Sequence, residues 1–212
     1  CVGSKRSEIV DILSRYASQA IRRIVALRGD LPSGAGAGSM GALSHANELV
    51  ALVRDQFGAG FHIEVAAYPE MHPQAPSFER DLDNFKRKVD AGADSAITQY
   101  FYNADAYEHF SDACVRRGID IPIVPGIMPI TNFSNLVRFS DACGAEIPRW
   151  LRKRLEGYGD DVAAIRALGT EVVSKMCQRL LDIGAPGLHF YTMNQADPTL
   201  AIWDNLGLGG PL

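Results

Sequence analysis

Polar side chains suited to holding a phosphorylated ligand recur along one predicted helix. Asp81, Asn84 and Lys88 are spaced i, i+3 and i+7, so they share one stripe of the helix, and Arg87 lies beside it. The carboxylate could accept hydrogen bonds from sugar hydroxyls, while the amide and the two cations could hold a phosphate. The same spacing is typical of the solvated face of an amphipathic helix, so spacing alone leaves both interpretations open.

Three further polar groups lie in or just after apolar runs. The segment 28–30 (RGD) ends such a run, and its glycine would let a ligand approach the backbone. The segment 68–73 (YPEMHP) combines aromatic and polar side chains with two prolines that restrict the backbone. Gln99 lies inside the apolar run 96–101, where an unpaired amide costs about 1–3 kcal/mol, so a ligand could be its partner. A turn, a solvated histidine and a satisfied core amide are the ordinary alternatives.

Composition excludes several classes of protein. The 212 residues are 47% apolar and 22% charged, which is an ordinary globular balance and excludes disordered or collagen-like chains. The net charge of −4 argues against nucleic acid or an anionic membrane as the main partner. The longest weakly charged stretch, 121–137, contains three prolines and is not typical of a membrane-spanning helix. The four cysteines show no CxxC or metal-ligand spacing, so we expect reduced thiols, no metal site and a cytoplasmic protein.

Five short apolar runs alternate with longer amphipathic runs, and this alternation predicts an α/β fold with a parallel sheet. The predicted strands are 24–27, 62–67, 95–101, 121–127 and 187–191. The predicted helices cover 7–20, 47–57, 77–91, 103–117, a segment starting at Asn132, 147–155, 160–183 and 199–206. Ser77, Asn103, Asn132 and Asp160 are the expected N-caps, because their side chains can accept hydrogen bonds from the first turn of a helix.

Two architectures fit this alternation: an open doubly wound sheet and a closed (β/α)8 TIM barrel. No GxGxxG motif follows the first strand, and the candidate residues cluster after strand ends, which share one rim in a barrel. We therefore favour the barrel, as a single domain over residues 1–212. A barrel of this type needs eight strands and about 250 residues, so we expect that about the first three strands are lacking.

Six segments of the chain, in order, carry a resemblance to a known family. The segments are 24–32 (IVALRGDLP), 65–73 (VAAYPEMHP), 81–93 (DLDNFKRKVDAGA), 96–101 (AITQYF), 123–129 (IVPGIMP) and 188–194 (LHFYTMN). Together they resemble the methylenetetrahydrofolate reductase family, whose members have a (β/α)8 barrel. The resemblance implies noncovalently bound FAD, reduced by NADH or NADPH, and hydride transfer to 5,10-methylenetetrahydrofolate that gives 5-methyltetrahydrofolate. It also implies a role in one-carbon and methionine metabolism, a folate substrate and a homo-oligomer.

The resemblance assigns expected roles to residues of this chain. Asp30 is the catalytic candidate, similar to the family's carboxylate near the flavin and the pterin. The expected cofactor-binding residues are Arg28, Gly29, Asp30, His45, Ala46, Tyr68, His72, Pro73, Gln74, Ala75, Asp81, Asn84, Arg87 and Lys88. The expected substrate-binding residues are Asp30, Gln99, Phe133, Tyr191 and Gln195.

The chain also departs from the family pattern. The family's acid is a glutamate on the first barrel strand, which we expect to lie outside this chain, so we expect the chain as given not to complete the reaction. Gln195 stands where the family usually has arginine, and His45 where tyrosine is common. The alternatives are a non-catalytic truncated barrel remnant or a structural partner of a reductase, and a different barrel enzyme that handles a phosphorylated ligand.

Overall fold

A computed structural model describes residues 3–29 and 41–209. Its helices are α1 (Arg6–Ser18), α2 (Ala46–Phe57), α3 (Phe78–Asp90), α4 (Ala104–Arg116), α5 (Phe133–Cys143), α6 (Arg149–Gly157), α7 (Val162–Asp182) and α8 (Asp197–Asn205). Its strands are β1 (Arg23–Ala26), β2 (His62–Ala67), β3 (Ser95–Thr98), β4 (Ile123–Val124), β5 (Gly126–Ile127) and β6 (His189–Phe190). Over these two ranges, no helix is both long enough and apolar enough to cross a bilayer.

All strand pairs of the described chain are parallel, which confirms the predicted α/β class with parallel strands. β1, β2, β3 and β4 form one sheet in that order, and β5 pairs with β6 in a second. In the first sheet Val25 lies opposite Glu64, and Val65 lies opposite Ala96. The closed barrel and the expected three further strands stay predictions.

The predicted fourth strand is divided at Pro125, between β4 and β5. Proline has no N–H to donate, so the ladder between β3 and β4 stops at Val124, opposite Ile97. Gly126 then donates its N–H to Oγ1 of Thr98, at 2.8 Å, instead of to a backbone carbonyl of β3. A side chain therefore bridges the gap, and the strand continues as β5 against β6.

The expected N-caps are confirmed at Ser77, Asn103 and Asn132. Each side chain accepts a hydrogen bond from a backbone N–H two or three residues later, at 2.9–3.3 Å. The prediction of Asp160 as the cap of α7 is wrong by one residue. Asp161 holds that position, because its Oδ1 accepts from the N–H three residues later at 3.0 Å.

Arg54 of α2 joins the connections at the amino ends of β2 and β3. Its guanidinium donates to the carbonyls of Gly58, Phe61 and Gly92, at 2.8–3.0 Å, and to the carboxylate of Asp94, at 2.5 Å. A planar group with several donors satisfies these carbonyls together. It therefore fixes the positions from which β2 and β3 start, and so the positions of their carboxyl ends.

The core lies between the sheet and the helices. Alternate residues of β2 are fully buried, namely Ile63, Val65 and Ala67, while the intervening residues are partly exposed. This period of two places one face of the strand against the helices. The other face, with the strand's carboxyl end, borders the groove described next.

Candidate functional site

A groove of about 510 Å³ lies at the carboxyl ends of β1 and β2. Its walls are the segments that follow these strands, the start of α2 and one face of α3. All but two of the residues expected to bind a cofactor line it, namely Arg28, Gly29, His45, Ala46, Tyr68, His72, Gln74, Ala75, Asp81, Asn84, Arg87 and Lys88. Pro73 is not among the lining residues, and Asp30 lies outside the described residues. Residues far apart in the sequence thus meet in one cavity of the size typical of ligand sites.

The polar stripe of α3 forms one wall of the groove. Asp81 accepts a hydrogen bond from the backbone N–H of His72, at 2.8 Å. The Nζ of Lys88 donates to the carbonyl oxygen of Ala66, at 2.5 Å, and lies 5.5 Å from the centre of the Phe85 ring. The carboxylate and the ammonium are therefore held in place by backbone groups of the neighbouring strand and loop.

Burial shifts the titration of both charged groups of this wall. Desolvation lowers the pKa of Lys88 to about 8, and the charge of Asp81 opposes that shift. Desolvation raises the pKa of Asp81, opposed by the hydrogen bond from His72 and by the charge of Lys88. A partly desolvated ammonium is stabilised by an arriving anion, so this wall favours a negatively charged ligand.

Residues 68–75, here called the groove loop, form a second wall, which the bond from His72 to Asp81 joins to α3. The rings of Tyr68 and His72 meet edge to face, with their centres 4.5 Å apart. The N–H of Gln74 donates to Nδ1 of His72, at 3.0 Å, and the N–H of Ala75 donates to the carbonyl of His72, at 2.9 Å. The loop is thus folded on itself and presents an aromatic edge to the groove.

The start of α2 contributes residues that the sequence interpretation missed, Asn47 and Glu48. Oε2 of Glu48 accepts from the backbone N–H of Ser44, at 2.7 Å, and from that of His45, at 3.4 Å. These bonds lower the pKa of Glu48, and the bond from Ser44 has the largest effect. A glutamate three residues after the helix cap is the sequence signal of this arrangement, and it holds His45 at the groove.

The sequence of this chain is similar to those of known proteins. The sequence model of the family described as methylenetetrahydrofolate reductase matches residues 1–207. A 5,10-methylenetetrahydrofolate reductase of Escherichia coli K12 is 42% identical over 208 residues, which cover 98% of this chain and 68% of the relative. That of Salmonella typhimurium LT2 is 43% identical with the same coverage. This chain belongs to the methylenetetrahydrofolate reductase family. The resemblance inferred from the six sequence segments is thereby confirmed.

A solved structure shows a similar fold. It is an uncharacterised protein from Clostridium thermocellum, described as binding two copies of 5-methyl-5,6,7,8-tetrahydrofolic acid. The TM-score is 0.57 at 18% sequence identity, over 88% of this chain and 72% of that one. At this identity the likeness concerns the fold alone, and it agrees with a TIM-barrel-like arrangement of the family.

In this reductase-family chain, the described residues that we expected to contact substrate are not among those that line the groove, namely Gln99, Phe133, Tyr191 and Gln195. Oε1 of Gln99 accepts from the N–H of Tyr100, at 3.0 Å, so the chain itself supplies one partner of this amide, and its contact with substrate stays a prediction. Phe133 begins α5 and packs against the core, and Gln195 is exposed in the turn before α8.

Tyr191 has its hydroxyl bonded within the protein. It donates to the carbonyl oxygen of Thr98, at 2.9 Å, and burial raises its pKa to about 12. A Cβ added to Gly126 would lie 2.6 Å from Cε2 of Tyr191, so the ring requires a glycine at that position. Tyr191 therefore ties the end of β6 to the end of β3, beside Gln99.

A second cavity, of about 540 Å³, lies between the start of α4 and helices α6 and α7. Two of its cations are already paired with carboxylates: Lys175 with Glu171, at 2.6 Å, and Arg179 with Asp105 and Glu108. It is therefore less suited than the groove to an anionic ligand. Among the residues described, no three His, Cys, Asp or Glu side chains are grouped closely enough to hold a metal ion.

Proposed function

We propose that this chain takes part in the flavin-dependent reduction of 5,10-methylenetetrahydrofolate to 5-methyltetrahydrofolate, with NADH or NADPH as the reductant. Family membership supports the reaction, and the groove supports the binding of FAD. The observation that carries the proposal is the convergence of the α3 stripe, the groove loop and the segment after β1 on one cavity. FAD, when bound, supplies the hydride carrier between the nicotinamide and the folate.

The residues of the groove fit such a dinucleotide. Lys88, with Arg87 and Asn84 beside it, provides donors for a diphosphate, and the partial burial of Lys88 strengthens that attraction. Asp81 has a carboxylate that can accept hydrogen bonds from ribityl hydroxyls while it holds the backbone of His72. The edge formed by Tyr68 and His72 offers an aromatic surface that excludes water.

Binding of FAD to the purified chain tests the first step. Quenching of flavin fluorescence should saturate as the chain binds FAD and so give a dissociation constant. Lys88→Met should raise this dissociation constant about 10- to 100-fold, because a charge-assisted contact is lost. Lys175→Met is the matched control, since Lys175 is exposed and lies in the second cavity. Failure of the unaltered chain to bind FAD, or equal binding by Lys88→Met, would contradict the assignment of the groove.

Reduction of the bound flavin tests the second step. Under anaerobic conditions, NADH or NADPH should bleach the absorbance of the FAD-loaded protein, whereas restoration of the absorbance by 5,10-methylenetetrahydrofolate is not expected without the family's acid glutamate. The two nicotinamides are compared in parallel, because the sequence does not distinguish them. Absence of bleaching with both nicotinamides would contradict this step, and rapid reoxidation by the folate would contradict the expected need for that glutamate.

A further inference from the structure

The groove loop has a second side, which faces away from the groove. On that side Oε2 of Glu70 accepts a hydrogen bond from the backbone N–H of Glu146, at 2.8 Å. Pro73 lies against Gly144, where an added Cβ would come within 2.6 Å of the proline Cγ. Both contacts join the groove loop to the connection between α5 and α6.

The backbone of the groove loop is strained between these contacts. Met71 has φ of +87°, in the left-handed region that residues other than glycine rarely adopt. Such a conformation persists where its surroundings hold it. Here the preceding residue, Glu70, is bonded to Glu146, and the following residue, His72, is bonded through its N–H to Asp81.

We propose that Glu70 is a positioning residue: its carboxyl group anchors the groove loop to the connection between α5 and α6, and so places Tyr68 and His72 in the groove. The consequence for FAD rests on the proposed function. The anchor itself does not rest on the proposed function, because the hydrogen bond between Glu70 and Glu146 lies within the chain and involves no ligand.

The surroundings of Glu70 make the anchor depend on pH. Burial raises the pKa of Glu70 to about 7, opposed by the N–H of Glu146 and reinforced by the negative charge of the Glu146 side chain. From the other elements, Tyr100 and Tyr102 face it after β3, and Cys143 lies beside Tyr100 at the end of α5. Burial raises the pKa of both tyrosines, so they stay neutral at pH 7.

The sign of this dependence follows from linkage. A released loop exposes Glu70 to water, where its pKa returns toward 4.5. The anchored loop therefore binds a proton more tightly than the released loop, and it loses stability as the pH rises through 7. We expect the loop to be anchored most firmly when Glu70 is neutral.

Two substitutions at this position separate the contact from the charge. Glu70→Gln keeps an oxygen acceptor for Glu146 and stays neutral, so FAD affinity should equal that of the unaltered chain at pH 6 and should not fall between pH 6 and 7.5. Glu70→Ala removes the acceptor and should weaken FAD binding about tenfold at pH 6. Binding titrations at intervals of half a pH unit measure this difference, and every other group of the groove is common to all variants.

Glu146→Gln is the matched control. It retains the backbone N–H that makes the bond but removes the negative charge that raises the pKa of Glu70. The midpoint of the pH dependence should therefore move to lower pH, while the affinity at pH 6 is unchanged.

Amide hydrogen exchange without ligand keeps the test independent of the proposed function. Glu70→Ala should speed exchange in residues 68–75 and at the N–H of Glu146, and Glu70→Gln should not. If the unaltered chain does not bind FAD, the proposed function fails, but amide hydrogen exchange still tests the anchor. If the chain binds FAD and Glu70→Ala matches it in affinity, pH profile and exchange, the anchor is overturned.

Discussion

At the scale of single residues, the chemistry of the groove depends on how burial changes a charge. Lys88 lines the groove from α3, and Glu70 lies on the side of the groove loop that faces away from the groove. Burial disfavours the charged form of each, so it lowers the pKa of the lysine and raises that of the glutamate. Lys88 can therefore respond to an anionic ligand in the groove, while Glu70 responds to pH through the contact that anchors the groove loop.

The lowered pKa of Lys88 predicts that affinity for FAD declines at alkaline pH. An anion favours the protonated lysine, so affinity should be highest below pH 8 and should fall, by at most tenfold per unit, as the pH rises above 8. Lys88→Arg should bind with a flat profile between pH 8 and pH 10, above the titration of Glu70, since arginine keeps its charge there. Fluorescence titrations at each pH measure both curves, and a flat curve for the unaltered chain would count against this role of Lys88.

The residue types of the groove could be predicted from the sequence, but their partners could not. The spacing of Asp81, Asn84 and Lys88 indicated one helical stripe, and the structure places that stripe on the groove. The bond from Glu70 to Glu146 joins residues 76 positions apart, and no local pattern indicates such a pair. The partner of the Gln99 oxygen, the N–H of the next residue, is likewise not indicated by the apolar run around it.

At the scale of elements, Arg54 is the contact on which the placement of two strands depends. Arg54→Ala should lower the free energy of unfolding by about 2–4 kcal/mol, because the carbonyls of Gly58, Phe61 and Gly92 lose a charged donor and Asp94 loses its partner. Denaturant unfolding followed by circular dichroism measures the change.

Arg6→Ala is the matched control for Arg54. Its ion pair with Asp55, at 3.3 Å, joins two exposed side chains, and surface pairs contribute about 0–1 kcal/mol. Equal losses of unfolding free energy in the two variants would contradict the role of Arg54 in joining the connections.

The pKa of Asp94 is lowered by its bonds to Ile63 and Arg54, so the contribution of this cluster to stability should be lost as the pH falls through that depressed pKa.

The order and type of the elements could be predicted because apolar periodicity is local information. The bounds of β2 were predicted from alternation alone, and three N-caps were predicted from single side chains. The division of the fourth strand at Pro125 could not be predicted, because it depends on a distant side chain. The N–H of Gly126 donates to Oγ1 of Thr98 rather than to a backbone carbonyl. Tertiary contacts of this kind decide where a strand stops.

At the scale of the whole molecule, β1 is the outermost strand of its sheet within the described residues. Val25 and Leu27 are 50% and 47% exposed there, which is unusual for apolar side chains of a parallel strand. An exposed apolar edge invites pairing with another chain, so the purified chain should associate as its concentration rises. The homo-oligomer expected from the family stays a prediction, and this edge offers a competing contact.

Val25→Lys should reduce this association, because a charged side chain on an edge strand opposes pairing. Val115→Lys is the control, since Val115 is 73% exposed on α4 and away from the sheet edge. Light scattering against protein concentration measures the effect. If the two variants associate to the same extent as the unaltered chain, the edge of β1 is not the contact.

Two hydrogen bonds that fix the walls of the groove, from Lys88 to Ala66 and from His72 to Asp81, join residues 22 and 9 positions apart. Contacts between neighbours in the chain close short loops and cost little conformational entropy during folding. The bond between Glu70 and Glu146 closes a much longer loop. Folding should therefore shape the walls of the groove early and fasten one of them late, after the second half of the chain has taken its place.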